Sequence, residues 1–152
     1  MNNSHSPFNP SSITAGRPKL VEWLELSVPV QRLLTGYINQ TDSIYESTSI
    51  YYHHINIRKN AIIIQHLAHT EEVPVFCQVY QMLKVNEKWI IIAEKLITVG
   101  FDEKLWSYEV EFTGILVQFN VECSVNIFPH CLDIYIVEQS NYINLLTRLT
   151  KH

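Results

Sequence analysis

The side chains able to do chemistry in this chain of 152 residues include seven histidines and three cysteines. His66 and His69, together with Cys123 or Cys131, are the right ligand types for zinc. A structural zinc site, however, brings a close Cys or His pair from both ends of its motif. Here His66 falls in an expected strand and His69 in a loop. His130-Cys131 and His53-His54 are adjacent pairs, and neighbours on a strand point to opposite faces. Buried thiols and surface imidazoles describe these residues better than a metal centre does, so no metal and no cofactor are expected.

Carboxylates gather in one stretch: Asp102, Glu103, Glu109 and Glu111. On a strand Glu109 and Glu111 share a face about 7 Å apart, a spacing at which two carboxylates could divide acid and base roles. A solvated outer face with Tyr108 and Val110 turned inward explains the same pattern. Cys77 with His66, or Cys131 with His130, has the composition of a nucleophilic pair. A reactive thiolate needs a neighbour that lowers its pKa, and the sequence supplies none. Cys77, close to Phe76 and Val79, reads as core. The four glycines do not cluster, so there is no phosphate-cradling loop. Catalytic residues are therefore not expected, and a divergent metal-dependent hydrolase or nuclease relative is the alternative.

The aromatic side chains carry more promise. Tyr45, Tyr51, Tyr52, Trp89, Trp106 and Tyr108 lie in or beside the strand-rich region. Part of this set must fill the core. From the rest, Tyr51, Tyr52, Trp89, Trp106 and Tyr108 are the candidates to line a groove that anchors a peptide.

The elements that would position them are mainly strands. Ala61-Ile62-Ile63-Ile64 and Trp89-Ile90-Ile91-Ile92-Ala93 are unbroken apolar runs bounded by turn-forming or charged residues. Such runs fit strands covered on both faces. Strands are also expected over 50–57, 61–67, 75–85, 89–96, 105–112, 115–121, 132–137 and 142–146. Arg58-Lys59-Asn60, Asn86-Glu87-Lys88, Thr113-Gly114 and Ser140-Asn141 are the expected turns, Gly114 supplying a positive φ. Gly100 to Lys104 breaks the pattern. Leu132, Ile134 and Ile136 alternate onto one side. Turn signals about every 10 residues favour a barrel or sandwich over βαβ units. Lys59, Lys88, Glu94 and Lys95 flank the apolar runs as gatekeeping charges.

Before the strands, Lys19 to Leu26 fits a short helix with Leu20, Trp23 and Leu24 on one face. A second helix follows: Ser27 caps it at the N–H of Val30, Pro29 is tolerated in its first turn, and Gly36 ends it. Residues 40–49 read as loop. Residues 1–18, dense in Ser, Asn and Pro, read as a disordered tail. The expected division is thus a tail at 1–18, short helices and a loop at 19–48, and a β-barrel-like domain at 49–148.

Bulk composition sets the limits. A 47% apolar and 17% charged chain holds enough core for one domain. Eleven basic against fifteen acidic side chains give a net charge of −4, without the basic stripe a phosphate-tracking surface needs. Nucleic acid is not the expected partner. The N-terminus has no basic stretch followed by an apolar core, and apolar runs of about five residues fall far short of the ~20 that cross a bilayer. Three unframed cysteines suit a reducing compartment. No membrane association is expected, and the location is intracellular, cytoplasmic or nuclear.

Pro74-Val75-Phe76-Cys77-Gln78-Val79, Trp89-Ile90-Ile91-Ile92, Leu96-Ile97-Thr98 with Phe101-Asp102-Glu103, Tyr108-Glu109-Val110, Pro129 and Tyr142-Ile143-Asn144-Leu145 together carry a resemblance. Over residues 55–147 the chain resembles the C-terminal β-rich domain of long transposon-derived animal proteins of unknown function. Those proteins are similar to transposases upstream, and no counterpart of that upstream part, with its zinc-binding and nuclease segments, is expected within these 152 residues. The resemblance implies a remnant without transposase chemistry. The expected fold is mainly β, a small SH3-like or bromo-adjacent-homology-like (BAH-like) partly open barrel with a short N-terminal helical pair. By fold-level analogy such barrels bind peptides or chromatin proteins. The expected function is a non-catalytic interaction module with a protein or peptide partner; a structural subunit of a larger assembly is a further alternative.

Overall fold

The computed structural model describes residues 13–36, 38–39, 42–52, 55–66, 74–121 and 132–145, apart from the side chains of Gln65, His66 and Phe119. Among them are eleven strands: β1 Ile13–Ala15, β2 Lys19–Val21, β3 Ile44–Ser47, β4 Ser49–Tyr52, β5 Ile55–Arg58, β6 Ile62–His66, β7 Val75–Val85, β8 Lys88–Asp102, β9 Ser107–Asn120, β10 Ile134–Val137 and β11 Ser140–Ile143. A 3-10 turn at Trp23–Glu25 and helix α1, Val28–Leu34, lie between β2 and β3. The main sheet runs β10-β11-β9-β8-β7-β3-β2, with β6 also paired to β7, and a second sheet runs β1-β4-β5. The fold is mainly β, as the apolar runs demand.

The isoleucine-rich strands are covered on both faces. Trp89, Ile91 and Ala93 of β8 join Ile63, Cys77, Val79 and Met82 and pack against Ile50 and Ile57 of the small sheet. Ile90 and Ile92 face the other way and meet Leu83, Val85, Ile44 and the α1 residues Val30 and Leu34. Polar alternation would have left one of these faces wet; continuous Ile avoids that. A third cluster holds Ile62, Ile64, Phe76, Leu96, Val110, Leu132 and Ile143.

This third cluster fills a small barrel wall built from β6, β7, β8, β9, β11 and β10. The ring is not closed by a ladder. Among the described residues its gap is spanned at one point, where Ile62 and Leu132 exchange two backbone hydrogen bonds of 2.8 Å. Each such bond contributes only about 1 kcal/mol net, whereas each buried Ile, Leu or Phe contributes about 1.5–3 kcal/mol before entropy. Apolar filling, not the bridge, therefore holds the partly open barrel together.

The second helix forms as expected. Ser27 Oγ accepts from the N–H of Val30 at 3.4 Å, proline stands in the first turn, and Gly36 beyond the end has φ +98°. The first does not. Lys19–Val21 instead pairs with β3, with Leu20 opposite Tyr45, and only a three-residue turn follows, so the helical pair is one 3-10 turn and one helix. The ladder consumes the backbone groups a helix would have used, and Leu20 and Leu24 are exposed while Trp23 packs on the core.

Other expectations change in the same way. Ile13–Ala15, placed in the tail by composition, pairs with β4. The expected loop at 40–49 contains β3, which zips onto β7. The expected strand over 50–57 is two antiparallel strands, Tyr52 opposite Ile55. Gly100 continues β8 instead of breaking it, and the turn falls at 103–106. Ser140 and Asn141 are paired in β11, the turn lying at Glu138 and Gln139, both with positive φ. Ile136 does not join Leu132 inside; it is 69% exposed.

Thr113-Gly114 is a bulge and not a hairpin turn. β9 runs through it, and Lys95 of β8 faces Thr113, Gly114 and Ile115 between the paired positions Glu94↔Leu116 and Leu96↔Phe112. Thr113 Oγ1 donates to the Lys95 carbonyl at 2.7 Å, and the Gly114 N–H donates to Glu94 Oε2 at 2.7 Å. Gly114 has φ +76°, so the positive φ is used, but to bend a strand.

Candidate functional site

At the far end of β8 and β9 three aromatic rings meet at the barrel mouth. Phe101 lies 5.2 Å from Trp106, edge to face at 79°, and 5.0 Å from Tyr108 at 69°. Tyr108 in turn lies 5.9 Å from Phe76, whose side chain is fully buried in the barrel interior. A buried ring thus supports a half-buried one, which supports the exposed Phe101, on which Trp106 rests. Such a stack is anchored at its base and open at its top.

Register explains how Phe101 arrives there. β8 and β9 slip between Thr98↔Val110 and Gly100↔Glu109, leaving Val99 as the extra residue. The slip returns Phe101 to the face of its partner Tyr108. Ile97 and Val99, at 56% and 52% exposure, remain outside beside Glu111 and Glu109. Phe112 and Ile115 are exposed near the second bulge.

The turn carrying Trp106 is tied down from both sides. Asp102 Oδ1 accepts from the N–H of Lys104 at 2.8 Å and of Leu105 at 3.0 Å. Ser107, fully buried, has its hydroxyl on the Leu105 carbonyl at 3.0 Å and in a short hydrogen bond with the Tyr135 hydroxyl. Trp106 itself has φ +55° and is 56% exposed. A bulky residue in the left-handed region is strained, and such strain persists only where neighbours over-determine it. Here the neighbours fix an indole in the open.

The flank of the mouth is acidic. Tyr142 pairs with Glu109 across β11 and β9 and stacks 5.9 Å from Tyr135. Its phenol is pushed above the ordinary value by burial first, then by the carboxylates of Glu109, Asp102 and Glu138, with the Ser140 hydroxyl pulling it down. Glu109 and Glu111 alternate with inward Val110 and Tyr108, as a solvated outer face does.

Of the candidate aromatics, the structure sets Trp106 and Tyr108 each against Phe101 and separates the others. Tyr51, 53% exposed, and the partly buried Tyr52 stand on β4 of the small sheet, where Tyr52 packs on a different core cluster. Trp89, 4% exposed, is a core residue: its position at the start of β8 faces the small sheet, so it cannot line a groove. Tyr45 is 40% exposed beside Lys84. Phe101 is not among the sequence candidates, because the stretch from Gly100 to Lys104 reads as a break. The uncharged run Leu96-Ile97-Thr98-Val99, three of its four residues β-branched, is the signal that β8 continues toward it.

The chemically reactive candidates do not converge. Among the described residues no three His, Cys, Asp or Glu side chains are grouped to hold a metal ion. The His66 side chain, His69, Cys123, His130, Cys131 and the His53-His54 pair lie outside the described residues. Cys77 is fully buried, and burial pushes its thiol up to about 11 against a smaller opposing pull from Lys95. At neutral pH it is a protonated core thiol. No helix among the described residues is long and apolar enough to cross a membrane.

At the opposite end of β8 a cavity of about 450 Å³ opens between the β7–β8 hairpin and the chain following α1. Ile38, Val85, Asn86, Lys88, Ile90, Gln118 and Asn120 line it. A smaller depression of about 240 Å³ adjoins through Asn86 and is lined by Ser43, Tyr45, Lys84 and Glu87.

Comparison of the chain with protein-family models, with curated proteins and with solved structures gives no match.

Proposed function

We propose that this chain is a non-catalytic interaction module whose barrel mouth docks a short segment of a partner protein. The observation that carries the reading is Trp106, an exposed indole held at a strained backbone position on a ladder of rings that ends in the core. Tryptophan in that setting is the residue type most often found to anchor an interface. Glu103 stands exposed in the same turn, and the carboxylates of Asp102 and Glu109, which raise the neighbouring Tyr142 phenol, add negative charge at the rim. The partner segment that complements this surface carries an apolar anchor flanked by lysine or arginine. An SH3-like or bromo-adjacent-homology-like mode of peptide capture, an origin as a transposon-derived remnant, and an intracellular setting belong to the same proposal. The partly open small barrel and the sequence pattern over residues 55–147 support them.

The test is a titration of the full chain with two short peptides of equal apolar content, one flanked by lysines and one by glutamates. The basic peptide should shift the tryptophan emission and bind in the micromolar range, weakening as salt rises. Phe101→Ala should weaken it about tenfold or more, the loss expected for an anchor-supporting ring. Equal binding of both peptides, or an unchanged affinity in the Phe101 variant, rejects the mouth as the docking surface.

A further inference from the structure

The cavity at the hairpin end of β8 has a lining that points to a ligand of its own. Among the described residues that line it, three carry amides, Asn86, Gln118 and Asn120, and one carries a formal charge, the ammonium of Lys88. Ile38, Val85 and Ile90 supply an apolar floor. Its volume of about 450 Å³ lies within the range of small-molecule sites, which pair an apolar wall with a few convergent polar groups.

The placement of the polar groups follows from strand register. Ile90 pairs with Asn120 and Ile92 with Gln118, so both amides stand on the face that otherwise holds the core under α1. An alternating strand facing that core would be expected to carry aliphatic side chains there, and β9 instead presents two amides beside isoleucines. The hairpin supplies the rest. Asn86 and Glu87 both have positive φ, +52° and +66°, a two-residue turn that glycine would adopt with less strain. The Glu87 carboxylate is engaged by Lys84 at 3.5 Å on the side of the neighbouring depression. Among the described residues no carboxylate lines the larger cavity, Lys88 has no ionic partner, and the amides of Asn86 and Gln118 have no hydrogen-bond partner.

We infer that this cavity binds a carboxylate carried on a small apolar body that also presents an amide-like hydrogen-bonding edge. Lys88 neutralises the carboxylate at the rim, the Gln118 and Asn86 amides donate and accept, and Ile38, Val85 and Ile90 enclose the hydrocarbon. A free acylated amino acid and the C-terminal residue of a peptide present this same chemistry. The site lies at the other end of β8 from the aromatic mouth and does not depend on it.

The experiment follows the backbone and side-chain amide signals of the isotopically labelled full chain during titration with N-acetyl-leucine. N-acetyl-leucine amide and an N-acetylated tripeptide ending in leucine serve as companions. N-acetyl-leucine should move the Asn86, Gln118 and Asn120 signals with a Kd of a few mM, and the neutral amide should bind about tenfold more weakly. Tripeptide binding in preference to the single residue identifies a peptide C-terminus as the source, and equal binding identifies free small carboxylates; both uphold the inference. Lys88→Met should erase the preference for the charged probe, and Lys88→Gln repeats the test if the first variant fails to fold. Equal affinity for N-acetyl-leucine and its amide in the unmodified chain overturns the inference. So do signal changes confined to other regions, or no change at about 20 mM probe, a concentration well above the expected Kd.

Discussion

Replacing Trp106 by alanine and by glycine separates what holds the turn from what the indole does at the surface. Trp106 sits at φ +55°, where an L residue costs roughly 1–2 kcal/mol relative to glycine. Alanine recovers about 0.4–1 kcal/mol of that by restricting the unfolded chain more than glycine does. Trp106→Gly should therefore be more stable than Trp106→Ala by roughly 0.5–1 kcal/mol, the reverse of the order found inside a helix. Both variants lose the edge contact with Phe101, worth about 0.5–1.5 kcal/mol. For glycine the strain relief offsets most of that loss, leaving it near the unmodified protein, while alanine falls about 1 kcal/mol below. Urea unfolding followed by circular dichroism measures the difference, provided the slope against denaturant is unchanged. In the same samples the basic peptide should bind both variants equally poorly, because the anchor is gone from each. Alanine matching or exceeding glycine in stability would refute the claim that strain is stored at this turn. Unchanged peptide affinity in both would refute the role of the indole.

Alkaline pH offers an independent check on the core. Burial raises the Cys77 thiol from 9.0 to about 11, so between those values the unfolded chain has released a proton that the native chain still holds. Stability is then complete below pH 9 and declines as pH rises toward about 11, with Tyr142, raised in the same direction, adding to the decline at its upper end. Cys77→Val should flatten the early part of that decline in urea midpoints taken across the interval; an identical slope would show that the thiol is not sequestered. At the bulge, Gly114 has φ +76° and open space around an added Cβ, so Gly114→Ala should cost about 1 kcal/mol through backbone strain alone. Gly100→Ala, also with open space but no positive φ, should change the thermal midpoint little, within about 0.5 kcal/mol. Equal effects at the two glycines would contradict the bulge assignment.

What the sequence made legible depended on how local the cause was. The runs around Ile63 and Ile91 declared strands with two dry faces because continuous β-branched residues have few other solutions. Ser27, Pro29 and Gly36 declared a helix because capping is decided within four residues of the end. Lys19–Val21 and Ile44–Ser47 are strands only because β7 and β3 present ladders to them, and three or four residues carry too little period to announce that. Gly114 was ambiguous for another reason: a hairpin turn and a bulge make the same demand on φ. The decision between them lies in β8, which continues for 15 residues and pairs on both sides of the kink. The run Leu96-Ile97-Thr98-Val99 carries β8 as far as Phe101, but a one-residue slip, not its neighbours in sequence, sets the face Phe101 occupies.

The same long strand organises the two candidate sites. β8 begins at Lys88, on the rim of the amide-lined cavity, and ends at Asp102, which fixes the turn bearing Trp106. At the rise of a β-strand its 15 residues span up to about 45 Å of contour, with register shifts after Glu94 and after Thr98. Between its ends the strand is occupied by core packing on both faces as far as Ala93, leaving no polar chain to link them. Sites so separated and sharing no side chain act additively. The Lys88→Met and Phe101→Ala effects should therefore combine without coupling: carboxylate binding in the double variant equals that of Lys88→Met, and peptide binding equals that of Phe101→Ala. A coupling beyond about 0.5 kcal/mol in either titration would mean that β8 moves as a lever and not as a fixed beam.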